Sequence, residues 1–453
     1  MPRGTRDPSA TELQARASEL VAQARGDRYS FGPRVNSSAG AQVAAEGQRA
    51  LVIASQSRWN APTLRSALGS LRSSRVIIAG GQVFRGARPG TPSEDVSRIA
   101  SLIRGLRPDC IVAIGGGSII DGAKAANIQA VGDQRMKQQS NAGLPSEGRP
   151  PIPLVAIQTA AGSASHLTNL AWVANTNGRS VRLISGSAVT PVRAVFDSTV
   201  TRTAPRGVVL DGAFYGVFRG IHAALCASDD HSAEALDGAG LVIELTLQNL
   251  PRVLADQEGD EAREAMAIAT DLAGLLAISK HEGLPAAQAI WLALAQIPGH
   301  MRASAIIAPY LVGAFVNRAE RRVRAIGEIY QRAGYIQKDM DGLSGRKLGA
   351  AVAGGMLRFM IGSGYPTSLP SVPGFSWLGI AGAMEAVTGW LQRSDDEALY
   401  ADAGTARPRV GPWSASNTSA RPWRSNAERA EILSAVQATF AAAMSGDVGV
   451  LTS

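Results

Sequence analysis

Cysteine is nearly missing from this chain: its 453 residues include two, Cys110 and Cys226. One falls in a predicted strand and one in a helical stretch, which excludes a disulfide framework and a structural zinc cluster and leaves both as small buried hydrophobes. No apolar run reaches the length of a membrane span, so no membrane partner is expected. The N-terminal stretch MPRGTRDPSATELQARASELVAQARGD is too polar for a secretory signal, and a cytoplasmic location is the expectation. A concentrated basic stripe with interleaved aromatics is also lacking. The net charge of +8 is arginine scattered along the chain, so nucleic acid is not an expected partner, and the excess suits a phosphate-bearing small molecule or an acidic substrate.

What the chain does have is enough apolar material for two cores, with 45% hydrophobic and 18% charged residues. Residues 9–25 read as an amphipathic helix with Leu13, Ala17, Leu20 and Val21 on one face. This gives an N-terminal extension, 1–28, whose apolar face is a packing arm or a partner contact. From Tyr29 strands and helices alternate. Strands are predicted at 50–54, 75–79, 110–114 and 152–157, with a helix over 93–106 opened by a capping Ser and Glu-Asp. That alternation predicts a parallel, doubly wound sheet over 29–205 with its ligand at the carboxyl ends of the strands. The segment 134–151 reads as a polar, mobile loop.

After Asp197 the pattern turns to long helices, at about 206–225, 229–248, 260–280, 284–296, 302–316, 318–333 and 345–362. This predicts an all-helical second domain over 206–453, with the site in the cleft between the two halves. Residues 403–425, with Trp413 and Trp423, read as a lid or a pinned tail. A helix over 427–444 closes the chain.

The chemistry-bearing stretch runs from Cys110 to Ala126. A short apolar strand passes through Gly115, Gly116 and Gly117 into Ser118, Asp121 and Lys124 on a new helix. Glycines let backbone N–H groups approach a ligand, and the helix start adds its positive dipole end, so a diphosphate is the natural occupant. A second small-residue segment follows the 152–157 strand: Gln158-Thr159-Ala160-Ala161-Gly162-Ser163-Ala164-Ser165-His166.

The order Gly-Gly-Gly-Ser-x-x-Asp-x-Ala-Lys resembles the coenzyme turn of the iron-containing, or group III, alcohol dehydrogenases. The second segment resembles that family's Pro-Thr-Thr-x-Gly-Thr-Gly-Ser-Glu signature, departing from it at Gln158, Ala164 and His166. The likeness extends over about 29–445, through Asp197 and Pro205, Ala262-Arg263-Glu264, and His300 with Pro309. It implies a Rossmann-like sheet domain followed by a helical domain, in the dehydroquinate synthase-like architecture, and an NAD or NADP coenzyme. The coenzyme residues it implies are Ser55, Gly115, Gly116, Gly117, Ser118, Asp121, Thr159, Ala161, Ser163 and Arg182. Ser55 stands where the family often has an Asp that contacts the ribose. Losing that carboxylate, with Arg58 nearby, admits a 2′-phosphate.

The resemblance breaks at the metal. The family holds a divalent ion with one Asp and three His. The matching positions here are Tyr215, Arg219, Ala286 and His300, and Ile290 replaces a further His facing the substrate. A fixed guanidinium repels a cation, so no metal is expected. Relocated ligands, Asp211 or His222 shifted by one helical turn, are the alternative. Without a metal another group must take the proton of the alcohol. Tyr215 and Arg219 share a helical face, and a guanidinium beside a phenol favours the phenolate. Tyr215 is therefore the candidate acid/base, with His300 or His166 as relay.

Three functions follow. The first is an NAD(P)-dependent alcohol dehydrogenase without a metal, acting on a small alcohol or a peptide, with Ile290, Trp291, Tyr215 and His166 facing an unusual substrate. One branch of the family matures ribosomal peptides of the daptide type: it oxidises a C-terminal Thr to a β-keto acid, which loses carbon dioxide without metal help. The second is a non-catalytic nucleotide-binding scaffold, and the third a metal enzyme with moved ligands. A homo-oligomer is compatible with each.

Overall fold

The computed structural model describes residues 10–132, 151–175, 181–227, 231–256, 259–277, 290, 294, 299–372, 380–382, 384–385 and 426–451. A seven-stranded, all-parallel sheet carries the first half. Its order is β1 (Tyr29–Gly32), β9 (Arg193–Asp197), β6 (Leu154–Gln158), β5 (Cys110–Gly115), β2 (Arg49–Ala54) and β3 (Ile77–Ile78), with β4 (Phe84–Arg85) also pairing with β2. Val112 of β5 is flanked by Val52 and Val155. Alternate residues point to opposite faces. Val52, Cys110, Val112 and Val155 meet α2 (Ala39–Ala44) and α3 (Ala61–Ser73), while Ile53, Ile111, Ala113 and Ala156 meet α4 (Ser93–Leu106) and α5 (Gly117–Val131). Burial on both faces is why these strands read as unbroken apolar runs. Both cysteines are free and buried, and burial pushes the Cys110 thiol up to about 12.

A separate antiparallel pair, β7 (Leu170–Ala174) and β8 (Val181–Ser185), covers the outer side of α5. The second half is helical: α6 (Arg206–Cys226), α7 (Ser232–Ala255), α8 (Asp260–Leu276), α9 (His300–Ala314), α10 (Val316–Arg332), α11 (Gly345–Gly362) and α12 (Asn426–Ser445). They share one large core in which Phe218, Tyr310, Phe315 and Phe359 are fully buried. The first helix, α1 (Ala10–Arg25), lays Leu13, Ala17 and Val21 against Leu241, Leu245 and Leu272 of α7 and α8. It is a packing arm, and each of its larger buried side chains contributes about 1.5–3 kcal/mol.

Several local expectations need correction. The first strand is β1, not the segment at 50–54; its four residues Tyr-Ser-Phe-Gly are too short to show a period. The expected strand at 75–79 shrinks to Ile77–Ile78, because Arg75 takes the left-handed conformation at φ 59° and residues 79–81 turn away. Ser93 is the first helical residue of α4 rather than its cap. Pro92 precedes it with no side-chain cap bond, and Asp95 instead accepts from the Arg88 N–H at 2.9 Å. α6 is in fact long and apolar enough to cross a membrane, but 83% of its apolar window is buried within the protein, as in a core helix. The segments 134–150 and 403–425, and most of 284–296, lie outside the described residues.

Candidate active site

The carboxyl ends of β5 and β6 open onto a cleft of ≈ 560 Å³, closed on its far side by α6 and α9. α5 begins at Gly117, directly after β5, so the N–H groups of Gly117 and Ser118 have no intrahelical acceptor and face the cleft with the helix dipole behind them. The glycines serve close approach more than unusual dihedrals. A Cβ on Gly117 would lie 2.8 Å from the Ser163 side chain, and one on Gly115 would lie 2.5 Å from Ile119, while Gly116 is nearly open, with Ala160 at 3.8 Å. Such an arrangement has the shape and the unpaired N–H groups to receive an anionic group such as a diphosphate. The Ser118 hydroxyl accepts from the Gly90 N–H at 3.1 Å and so also pins the 88–92 loop over the helix start.

Asp121 lines the cleft one turn further on. Its Oδ2 accepts from the Trp172 N–H at 3.2 Å, and Lys124 lies 3.9 Å from its Oδ1. Burial pushes the Asp121 carboxyl up, against the downward pull of Lys124. Lys124, almost wholly buried and donating to the carbonyls of Thr168 and Leu170, is brought down by that burial to about 8. It is therefore a structural strut beneath the β7 ladder.

The segment 160–165 forms the facing wall through Ala160, Ala161, Gly162, Ser163 and Ser165. Ala164, where the resemblance has Gly, keeps the left-handed conformation at φ 50° and is fully buried. The helical half makes room for the wall with two notches. A Cβ on Gly212 of α6 would fall 2.0 Å from the Ala161 carbonyl oxygen, and one on Gly274 of α8 would fall 2.1 Å from the Ala164 Cβ.

On α6, Val208, Asp211, Tyr215 and Arg219 line the cleft, a spacing of three and four that places them on one face. Arg219 is buried, donating to Ser163 O at 2.7 Å and Gly274 O at 3.2 Å, and burial lowers its pKa from the ordinary value. Its guanidinium carbon sits 5.5 Å from the centre of the Tyr215 ring. The cation thus lies over the ring face, where the π electrons attract it, as well as on the same helical face. His300, the first residue of α9, meets Tyr215 edge-on at 6.1 Å. Burial and the charge of Arg219 push the His300 imidazole down to about 4, so it is neutral at pH 7.

Other expected site residues lie elsewhere. His166 is fully buried beneath the wall, with its Nε2 3.2 Å from Asp271, and does not face the cleft, so it cannot relay a proton there. Thr159 is also fully buried, with its N–H bonded to Gly115 O. Arg182 pairs across from Val173, and side chains directly opposite share a face, so it points with Val173 away from the side that Trp172 and Ala174 present to the cleft. Ile290 is fully buried in the helical core rather than facing a substrate. Ser55 follows β2 with its N–H on Ile114 O, its hydroxyl accepts from Ser57 N, and Arg58 three residues on is exposed. Ala286 and Trp291 lie outside the described residues.

The sequence reading missed the 88–92 loop, Trp172, and the trio in which Arg302 grips Asp211 at 2.7 and 2.6 Å while the Tyr365 hydroxyl donates to it at 3.0 Å. The Asp211 carboxylate is thereby occupied. His222 lies tilted beside Phe218, and its Nε2 is 3.5 Å from Cys226 Sγ, away from the cleft. Asp211 is thus held by Arg302 and Tyr365, and His222 does not line the cleft. Among the described residues no three His, Cys, Asp or Glu side chains gather as a metal cage, and the donors left at the expected place are His300 and a phenol beside a fixed cation. That set does not fit an iron or zinc ion.

Comparison with known proteins agrees with this architecture. Residues 26–198 match the family model described as iron-containing alcohol dehydrogenase. The chain is 30% identical over 194 residues to the NAD-dependent methanol dehydrogenase of Bacillus methanolicus, a stretch covering 43% of this chain and 50% of that one. The chain spans about half the length of the curated relatives it matches. The NADH-dependent butanol dehydrogenase A of Thermotoga maritima superposes with a TM-score of 0.69 at 16% identity, covering 90% of this chain and 96% of that one. The iron-containing alcohol dehydrogenase of Thermococcus thioreducens gives 0.65 at 20% identity, covering 91% and 98%. By sequence, residues 26–198 are similar to the iron-containing alcohol dehydrogenase family, and the chain as a whole has the fold of those solved structures.

Proposed function

We propose that this protein is a nicotinamide-dependent oxidoreductase that oxidises an alcohol, or reduces its carbonyl, without a metal ion. The observation that carries the proposal is Arg219. A guanidinium is fixed in the cleft wall, against the Tyr215 ring, at the position where the family resemblance calls for a metal ligand. The glycine turn, the α5 N-terminus and the notched 160–165 wall are arranged to receive a dinucleotide.

A bound nicotinamide would supply the hydride acceptor. The chain's own residues then handle the proton. Tyr215 takes it from the alcohol or returns it to the carbonyl, with the Arg219 guanidinium held over its ring. His300 is neutral and adjacent, so it accepts a hydrogen bond without adding a second cation. NAD is favoured by the name of the methanol dehydrogenase relative, and NADP by the missing carboxylate at Ser55. Titration with both coenzymes decides between them.

The finer reading is a substrate from specialised biosynthesis, with the C-terminal Thr of a ribosomal peptide as the specific case. A buried cation at the cleft wall suits a substrate bearing a carboxylate, and a β-keto acid product needs no metal to lose carbon dioxide. Substituting Tyr215→Phe tests the mechanism. Turnover is expected to fall by about 10²–10⁴-fold with coenzyme affinity unchanged, and undiminished turnover rejects the role of Tyr215. A protein that binds neither NADH nor NADPH is not this enzyme, and one that binds coenzyme but turns over no alcohol or peptide favours the nucleotide-binding scaffold.

A further inference from the structure

Three titratable side chains that the proposed chemistry leaves unused meet in the interior, from positions far apart in the chain. Asp271 of α8 accepts at Oδ2 from the Tyr29 hydroxyl of β1 and lies 3.2 Å from His166 Nε2 at the end of the cleft wall. His166 and Asp271 are at most 1% exposed. An ionised Asp271 can only accept, so His166 presents Nε2–H to it, while its Nδ1 has no hydrogen-bond partner among the described residues. Phe196 packs edge-on against the imidazole at 5.5 Å, and Tyr29 lies tilted beside it at 5.8 Å, so the ring is held on its faces as well as at its nitrogen. Burial and the Asp271 charge raise the Tyr29 hydroxyl well above its usual range, which keeps it a donor.

The same turn of α8 touches the wall twice. Three residues after Asp271, on the same helix face, Gly274 abuts Ala164 and its carbonyl takes an Arg219 hydrogen bond, and Arg219 in turn holds Ser163 O. The wall residue Ala164, strained at φ 50°, therefore sits between two anchors. The resemblance places a Glu at position 166. In this chain the carboxylate of the pair is on the facing helix, and the wall contributes the imidazole.

We propose that Tyr29, His166 and Asp271 are positioning residues, a buried clasp that fixes the 160–165 wall against α8 and so sets where a substrate lies relative to Tyr215. None of the three touches the cleft, and their effect passes through Ser163 and Ala164. The catalytic part of this inference rests on the oxidoreductase reading, whereas the clasp itself does not.

The test compares His166→Leu with His166→Gln in the full-length protein, by amide hydrogen exchange and by kinetics. The Gln amide can restore the Nε2 donor, whereas Leu keeps the bulk and removes it. Exchange of the 160–167 amides is expected to speed up at least about tenfold in the Leu variant, with the β2 and β5 amides unaffected and Gln restoring the parental rate. Alcohol turnover is expected to fall about tenfold or more in the Leu variant, while NADH affinity stays within about twofold. Tyr29→Phe, which keeps its ring, is the milder second variant if Leu fails to fold, and it should speed up the same amides to a smaller extent. Parental exchange in the variants, or a Gln variant as loosened as Leu, overturns the clasp. If the parent neither binds nor uses a nicotinamide coenzyme, the oxidoreductase reading fails, and the exchange of the wall amides alone decides the clasp.

Discussion

Gly274 offers the sharpest test of how the helical half meets the cleft wall. A Cβ placed there would lie 2.1 Å from the Ala164 Cβ. Carbon atoms settle at about 3.5–4.0 Å, so the overlap is about 1.5 Å between a helix in the core and a fully buried wall residue. Overpacking of this kind costs about 1–3 kcal/mol or more, and neither neighbour is a flexible side-chain end that could swing aside. Gly274→Ala is therefore expected to lose about 3 kcal/mol in urea unfolding. Removing the opposing methyl reverses the sign. Ala164→Gly relieves a left-handed residue at φ 50°, worth about 1–2 kcal/mol, against about 0.5–1 kcal/mol of added unfolded-state freedom, and is near neutral or slightly stabilising. In that background the methyl introduced at position 274 meets the Arg219 Nη1 at 3.4 Å and the residue-164 Cα at 3.6 Å, both ordinary contacts. The double variant should match the parent within about 1 kcal/mol, a coupling of about 2–3 kcal/mol in the double-mutant cycle. Additive effects, or a Gly274→Ala protein as stable as the parent, would refute the notch.

Three further outcomes follow from the site. Gly117→Ala puts a methyl 2.8 Å from Ser163 at the mouth of the diphosphate cradle, so NADH affinity measured by fluorescence titration should weaken at least about tenfold, with unchanged circular dichroism. The His300 imidazole is held at about 4, below its unfolded value of 6.5, so the unfolded chain binds more protons between those values. Its contribution to stability is complete above pH 6.5 and is lost as pH falls toward 4; thermal melts should show a shallower acid slope in His300→Gln than in the parent. Arg302→Met frees the Asp211 carboxylate that Arg302 now grips at two points, and the variant should gain affinity for divalent cations in a calorimetric titration where the parent shows none.

Much of this was legible in the sequence, and the reasons are local. The apolar run into Gly115 to Gly117 could only be a buried strand meeting a helix start, and the long 3.6-residue periods placed most of the helices to within a few residues. What stayed hidden depends on partners distant in sequence. His166 sits among hydroxyl-bearing neighbours and reads as a cleft residue, but its partner Asp271 is 105 positions away and draws it inward. Arg182 is placed by the resemblance, whereas its direction is set by pairing with Val173 across a ladder that Asn177-Gly178 announces in the sequence and the strand pattern alone does not. The 88–92 loop has no period to detect, and it is held in place by Ser118 from the next helix. Ala164 shows the reverse case: the sequence marked it as a departure from glycine, and the backbone kept the glycine-like conformation all the same.

The central claim is that a buried guanidinium has displaced the metal from a cleft that still takes a nicotinamide coenzyme. The most direct measurement is the metal content of the purified protein, together with NADH or NADPH titration before and after exhaustive chelation. The account predicts substoichiometric iron and zinc with coenzyme binding and turnover unchanged by the chelator. One tightly held iron or zinc per chain, lost on chelation together with turnover and restored with it, would contradict the claim.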